Sequence, residues 1–388
     1  MPFEFDELLE EATKRAGGLD DFGPDDFREP MRRLLVALEE EAALNEMGRV
    51  TQRERMLGLL VARLRTEDDI RRHPEILEER VGQSFSIIGL GRTGTTMLHR
   101  MLASDTRLFA LRWYESRNPA PLPGSQEGPG PDPRIKDAEA EVEAMLEASP
   151  ELIAAHPMDA HAPDEEIMLL EHAFMSANPE AFCSVPQYAR WLEDQDAHPG
   201  YAYLDRLLRF LQWQKKRGGQ QADRWVLKTP HHIGFLDVFF DTFPEAKVVF
   251  THRDPIQTIP SMCSLIHSIR VLNSDRVDEE EIGRQWSSRL ARMMDRCMDV
   301  HDQQPDRFLD IQYRDLIADP MASARQIYEF VGMEYTPEAE ENMRQWAVEN
   351  TRDKRPVHHY TLKQYGFTEE GLRRDFARYY ERFIDPEA

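Results

Sequence analysis

Cysteine is scarce in this chain: Cys183, Cys263 and Cys297 are the only three in 388 residues. Their wide spacing excludes a disulfide framework and the closely spaced cysteine pairs of structural metal sites. A reduced, cytoplasmic setting with buried thiols is expected. No apolar run approaches the ~20 residues needed to span a bilayer. Met1 to Arg15 is acidic and lacks the basic start and apolar centre of a secretion signal. Positive charge is in deficit, 48 Lys and Arg against 71 Asp and Glu, for a net charge of −23. Such a field excludes a general binder of nucleic acid or anionic membranes. An anionic small molecule remains admissible, but only through a local pocket of specific cations, so the positions of arginines and lysines are informative.

What is present describes an ordinary globular chain, 41% hydrophobic and 31% charged, long enough to bury a large core. Residues 1–80 read as a helical extension. Met31, Leu34, Leu35, Leu38 and Ala42 recur at helical steps, as do Met56, Leu59, Leu60 and Leu64. The pattern then changes. Phe85 to Leu90 is a short apolar run typical of a buried parallel strand, followed by a glycine-rich turn. After that turn Met97, Leu98, Met101 and Leu102 mark one helical face. Further strands are expected at Trp225–Leu227, Lys247–Thr251 and Phe308–Gln312. Ile233, Leu236, Phe239, Phe240 and Phe243 form a helical stripe between the first two of these. Alternating strands and helices imply an α/β fold, with a P-loop-like parallel sheet flanked by helices. The catalytic unit is expected to run from 81 to 388, with a Pro- and Gly-rich loop at 118–133 and a helical insertion at about 135–217.

The turn Gly89-Leu90-Gly91-Arg92-Thr93-Gly94-Thr95-Thr96 keeps the glycine spacing of a nucleotide phosphate loop. Glycines let backbone N–H groups turn inward, and the following helix adds its positive end. Thr95, however, stands where a nucleoside triphosphatase carries the lysine that reaches the outer phosphates. The nearest cation is Arg92, earlier in the loop. A second segment, Val248 to Ser261, is a strand ending in Arg253-Asp254-Pro255, with Ser261 eight residues after the arginine. An arginine at a strand end can fork onto phosphate, and a serine in the next helix adds a donor. A capping salt bridge is the plainer reading of the same residues.

Together, Ile87 to Leu102 (IIGLGRTGTTMLHRML) and Val248 to Ser261 (VVFTHRDPIQTIPS) resemble the nucleotide-binding segments of sulfotransferases. These enzymes use 3′-phosphoadenosine 5′-phosphosulfate (PAPS). The loop is most similar to the bacterial branch related to tyrosylprotein sulfotransferases, which favours arginine at the Arg92 position. The resemblance spans roughly residues 85–335. It implies a sulfotransferase fold and a 5′-phosphosulfate loop of Arg92, Thr93, Gly94, Thr95 and Thr96. It also implies that Arg253 and Ser261 hold the 3′-phosphate. Trp225 to His232 (WVLKTPHH) resembles the segment whose lysine faces the transferring group, which implies that role for Lys228. Ile311 to Pro320 (IQYRDLIADP) resembles the segment whose tyrosine contacts the nucleotide, which points to Tyr313.

Sulfuryl transfer is an in-line displacement in which positioning and charge stabilisation supply most of the catalysis. Arg92 and Lys228 are the candidates for the sulfuryl and bridging oxygens, and no metal is required. A general base must take the acceptor's proton. The related tyrosylprotein enzymes use a glutamate shortly after the loop helix, which the resemblance carries to Glu115. His161, with Glu165 or Glu166 orienting it, is the rival base; equally, Asp164, Glu165 and Glu166 read as the acidic first turn of a helix. His231 and His232 follow Lys228 closely enough to share its cavity. Lys354 and Arg355, with Arg352, offer cations for a loop over the 3′-phosphate, or a solvated charge run. The expected acceptor is a hydroxyl, or an amine, of a small molecule. The aromatic and methionine-rich stretch at 168–213 suits a lipophilic or aromatic alcohol if it lines a pocket, and serves as helix core if it does not. Nothing in the sequence specifies an oligomeric state. A P-loop nucleotide kinase and a non-catalytic nucleotide-binding regulator are the competing functions.

Overall fold

The computed structural model describes residues 3–124, 132–148, 158–350 and 360–385. At its centre is a five-stranded, all-parallel sheet in the order β2-β3-β1-β4-β5. β1 (Phe85–Gly89), β3 (Arg224–Lys228) and β4 (Lys247–His252) are buried almost throughout. Strands covered on both faces need continuous apolar sequence, which is why these three read as unbroken runs. β5 (Phe308–Gln312), at one edge, alternates buried with more open positions. At the other edge β2 (Leu108–Phe109) has only two residues, too short for any periodicity, and sequence patterning misses it.

β1 lies between β3 and β4, so the chain leaves it in opposite directions on its two sides. In open α/β sheets such a switch point leaves a crevice at the carboxyl ends of the strands. The loop after β1, Lys228 at the end of β3, Arg253 after β4 and Tyr313 after β5 all sit at that edge. One topology thus gathers residues from widely separated parts of the chain.

The N-terminal helices Phe5–Arg15, Arg28–Glu40 and Glu46–Arg72 share the main hydrophobic core with the sheet. Met31, Leu34, Leu35, Leu38, Met56, Leu60 and Leu64 are all buried. Polar ties reinforce the junction: Arg63 donates to the carbonyls of Phe22, Pro24 and His172. The stretch 168–213 behaves as core. Leu169, Leu170, Phe174, Tyr188, Leu192, Tyr201, Leu204, Leu207 and Leu208 are buried within the same cluster, while Ala173, Met175, Pro199, Ala202, Tyr203, Asp205, Arg206 and Arg209 line a cavity beside Arg63. Among the described residues no helix is long and apolar enough to cross a membrane.

The C-terminal turn Tyr380–Ile384 packs behind β4 and β5. There His252 stacks on Phe383, with ring centroids 4.1 Å apart. Asp310 accepts from His252 Nε2 at 2.9 Å and from His301 Nε2 at 3.0 Å. The Tyr380 hydroxyl donates to Asp254. These contacts fix the strand end from which Arg253 projects.

Candidate active site

The loop after β1 is shaped by contacts that only particular residues permit. A Cβ on Gly89 would overlap the Thr251 hydroxyl and come within 2.6 Å of Thr93 Oγ1. Gly94 adopts φ +86° at the N-cap of the helix Thr95–Leu102, and a side chain there would press on Leu316 and Tyr313. With no side chain at its N-cap, the helix leaves its first-turn N–H groups for a bound anion. Arg92 itself has φ +74°, a left-handed conformation that costs an L-residue about 1–2 kcal/mol. Strain of this kind persists where neighbours hold it, and binding sites are where it concentrates. One such hold is the 2.8 Å hydrogen bond from Arg253 Nη1 to the Arg92 carbonyl. Thr93 is committed to the loop: its hydroxyl donates to Leu90 O at 2.8 Å and accepts from Thr251 at 2.7 Å. Any contact it makes to a phosphate must therefore come from its backbone.

Arg253 joins the loop to the far end of the sheet. Its guanidinium stacks 4.2 Å above the Tyr313 ring, and Nε and Nη2 donate to Gln257. Tyr313 also faces Gly94. Ser261 is buried in the second turn of the helix Pro255–Arg270. Its neighbour Met262 abuts the loop, where a Cβ on Gly91 would sit 3.2 Å from Met262 Sδ. Arg92, Gly94, Arg253 and Tyr313 are therefore in one constellation, with Ser261 on the helix beside it.

At the other side of the loop, Lys228 Nζ donates to Thr96 Oγ1 at 3.2 Å and pairs with the Glu165 carboxylate. Both side chains are largely buried, that of Lys228 at 2% exposure and that of Glu165 at 18%. Burial pushes the Glu165 carboxyl above the ordinary carboxylate range, and the Lys228 charge opposes that rise.

Glu165 is held from both sides. Asp164 accepts from Ser116 Oγ at 3.2 Å, and its backbone N–H donates to Leu111 O at 2.8 Å. Glu166 is fully buried; it accepts from the Lys228 N–H at 2.8 Å and lies 2.9 Å from His232 Nε2. His232 Nδ1 in turn shares a 2.7 Å hydrogen bond with the Tyr201 hydroxyl. Arg100, on the loop helix, reaches Pro163 O at 3.4 Å. The three carboxylates precede the short helix Ile167–Leu170 and do not form its first turn. Each has its own partner.

Glu115, the base implied by the resemblance, and His161, its rival, are placed differently. Glu115 is buried; its oxygens lie 2.5 and 2.7 Å from Lys215 Nζ, and one caps the Arg112 N–H at 2.8 Å. It serves as a helix cap and as counter-ion to a buried lysine. His161 is on the surface, its ring 59% exposed and 3.1 Å from Glu139 Oε1, with no contact to Glu165 or Glu166 among the described interactions. His231 is buried against Phe235, and burial pushes its pKa down to about 3, which leaves it neutral. Lys354 and Arg355 lie outside the described residues, as do Arg352, His358 and His359. Glu165, read from sequence as a partner for His161, pairs instead with Lys228. Nothing in the acidic run after Pro163, which equally marks a helix start, pointed to Lys228 as its partner.

A glycine loop without the triphosphatase lysine, with Arg253 and the buried Lys228 at the same sheet edge, is an arrangement suited to group transfer from an anion. Residues 85–337 match the model of the sulfotransferase family, and the chain belongs to that family. It is 25% identical over 315 residues to the omega-hydroxy-beta-dihydromenaquinone-9 sulfotransferase Stf3 of Mycobacterium bovis and of Mycobacterium tuberculosis, spanning 76% of this chain and 75% of the relative. The crystal structure of sulfotransferase STF1 from Mycobacterium tuberculosis superposes with a TM-score of 0.83 at 32% identity, covering 96% of this chain and 98% of that one. Sulfotransferase STF9 from Mycobacterium avium superposes with a TM-score of 0.87 at 28% identity, covering 98% and 96%.

Proposed function

We propose that this sulfotransferase moves the sulfuryl group of PAPS onto a hydroxyl of a lipophilic small molecule. The observation that carries this reading is the cluster of the β1 loop, Lys228, Arg253 and Tyr313, which has two ends. The β1 loop and Lys228 serve one end, Arg253 and Tyr313 the other, and the Arg253–Arg92 hydrogen bond links them. A donor with phosphates on both 5′ and 3′ positions needs two such ends, whereas ATP needs one. In this reading the loop N–H groups, Thr95, Thr96 and Arg92 hold the 5′-phosphosulfate, and Arg253 and Ser261 hold the 3′-phosphate. Lys228 opposes the charge that develops on the oxygens around sulfur. Lys354 and Arg355 are proposed to add charge over the 3′-phosphate.

The acceptor class is supported by the name of the 25%-identical relative, whose substrate is a hydroxylated dihydromenaquinone. A cytoplasmic setting is part of the proposal, supported by three unpaired, buried cysteines.

The test is transfer of radiolabelled sulfuryl from PAPS to a panel of hydroxylated isoprenoids, sterols and aryl alcohols. Labelled ester is expected with at least one long-chain alcohol. Labelling confined to compact hydrophilic acceptors such as free sugars would overturn the acceptor class.

A further inference from the structure

We propose that Glu165 is the catalytic base that takes the acceptor's proton, with Glu166 and His232 as the residues that position it. The inference rests on the PAPS reading above. Its basis is the Lys228–Glu165 ion pair at the mouth of the phosphate loop, with Lys228 simultaneously on Thr96. Lys228 Nζ reaches Thr96 Oγ1 in the first turn of the helix at whose N-terminus the transferring group would arrive. A carboxylate bound to that lysine is therefore next to the reacting centre, whereas Glu115 and His161 are held by Lys215 and Glu139.

The pair also accounts for timing. At rest, Lys228 and Glu165 neutralise each other. A sulfuryl anion at the loop competes for the lysine, and each hydrogen bond Lys228 transfers to it releases a lone pair on Glu165. The freed carboxylate sits where water is sparse, and burial makes it a stronger base than a surface glutamate. Its neighbours cannot follow the lysine, because Asp164 is tied to Ser116 and Glu166 to the Lys228 N–H and His232. In the step itself the acceptor oxygen forms the new O–S bond. Its O–H pair stays on oxygen as the proton passes to Glu165. The old S–O bond breaks, with its electron pair leaving on the 5′-phosphate oxygen.

Glu165→Gln is the direct test, because the amide keeps the shape and can still accept from Lys228. Turnover is expected to fall about 10²–10⁴-fold, the usual worth of a positioned base. By calorimetry, 3′-phosphoadenosine 5′-phosphate should bind the variant as tightly as the native enzyme or more tightly, since the competing carboxylate is gone. A merely structural glutamate would not produce that combination. Glu165→Asp should recover part of the turnover. A base must be deprotonated, so native kcat/KM should rise with pH through a group titrating above the ordinary carboxylate range. That limb should be absent in Glu165→Gln. The proposal is overturned if Glu165→Gln keeps native turnover, or if it loses turnover and nucleotide binding together. It is equally overturned if Glu115→Gln, still folded and binding nucleotide, is the variant that loses the limb. Failure of the native enzyme to bind 3′-phosphoadenosine 5′-phosphate would instead sink the parent reading.

Discussion

Lys228→Ala is expected to lower turnover by at least about 10²–10³-fold, the cost of removing one preorganised donor from a developing oxyanion. The loss should exceed that of an isolated donor, because two effects add. The side chain that opposes charge on the sulfuryl oxygens is gone, and Glu165 also loses its counter-ion. With burial unopposed, its carboxyl moves further above the ordinary range, so less of it is ionised at neutral pH. Raising the pH should therefore restore part of the lost rate in Lys228→Ala, with no such recovery in the Lys228→Ala/Glu165→Gln double variant. Leaving a buried carboxylate without its partner also costs stability, though at 18% exposure water screens part of it. Lys228→Met, which fills the lysine's volume, provides the folded control. Turnover of either variant near the native value would remove Lys228 from the chemistry.

Arg253→Ala should act on binding and on nucleotide choice. A hydrogen bond to a charged group is worth about 1.5–3 kcal/mol, so affinity for 3′-phosphoadenosine 5′-phosphate is expected to fall about 10- to 100-fold. Adenosine 5′-phosphate lacks the 3′ group and should lose much less. The ratio of the two affinities is thus the informative quantity, and calorimetry on native and variant protein measures it. Some loss is expected for both ligands, since Arg253 also holds the Arg92 carbonyl and covers Tyr313. An unchanged ratio would mean that Arg253 supports the loop without touching the 3′-phosphate.

The legible parts of this molecule are those whose determinants lie close together in the chain. The β1 loop is contiguous, and its glycines are needed for reasons visible in the backbone, so the spacing alone indicated a phosphate site. Arg253 and Ser261 share one strand-helix unit for the same reason. The doubly covered strands announced themselves as apolar runs, whereas β2 is too short to carry a pattern. Partnerships across the chain were not legible. Glu115 follows the loop closely, but Lys215, which takes its charge, is 100 residues further on. Glu165 and Lys228 are 63 residues apart and meet because the segment before Ile167 is pinned between Leu111 and β3. Ion-pair partners are chosen by tertiary packing, which proximity in sequence does not reveal.

The same limit applies to the insertion. Its aromatic residues fit a lipophilic pocket and a helix core equally well by composition. Burial of Phe174, Tyr188 and Tyr201 assigns them to the core, with Tyr201 supporting His232 through its hydroxyl. Tyr201 and its neighbours are thus scaffold beneath the Lys228–Glu165 pair.

The central claim is that this loop belongs to a nucleotide site with two phosphate-binding ends. Titration calorimetry of the native protein with 3′-phosphoadenosine 5′-phosphate, in chelator-treated buffer, tests it most directly. Saturable 1:1 binding is expected, much tighter than that of adenosine 5′-phosphate or ATP under the same conditions. Binding of ATP that requires magnesium, with none detectable for 3′-phosphoadenosine 5′-phosphate, would contradict the account.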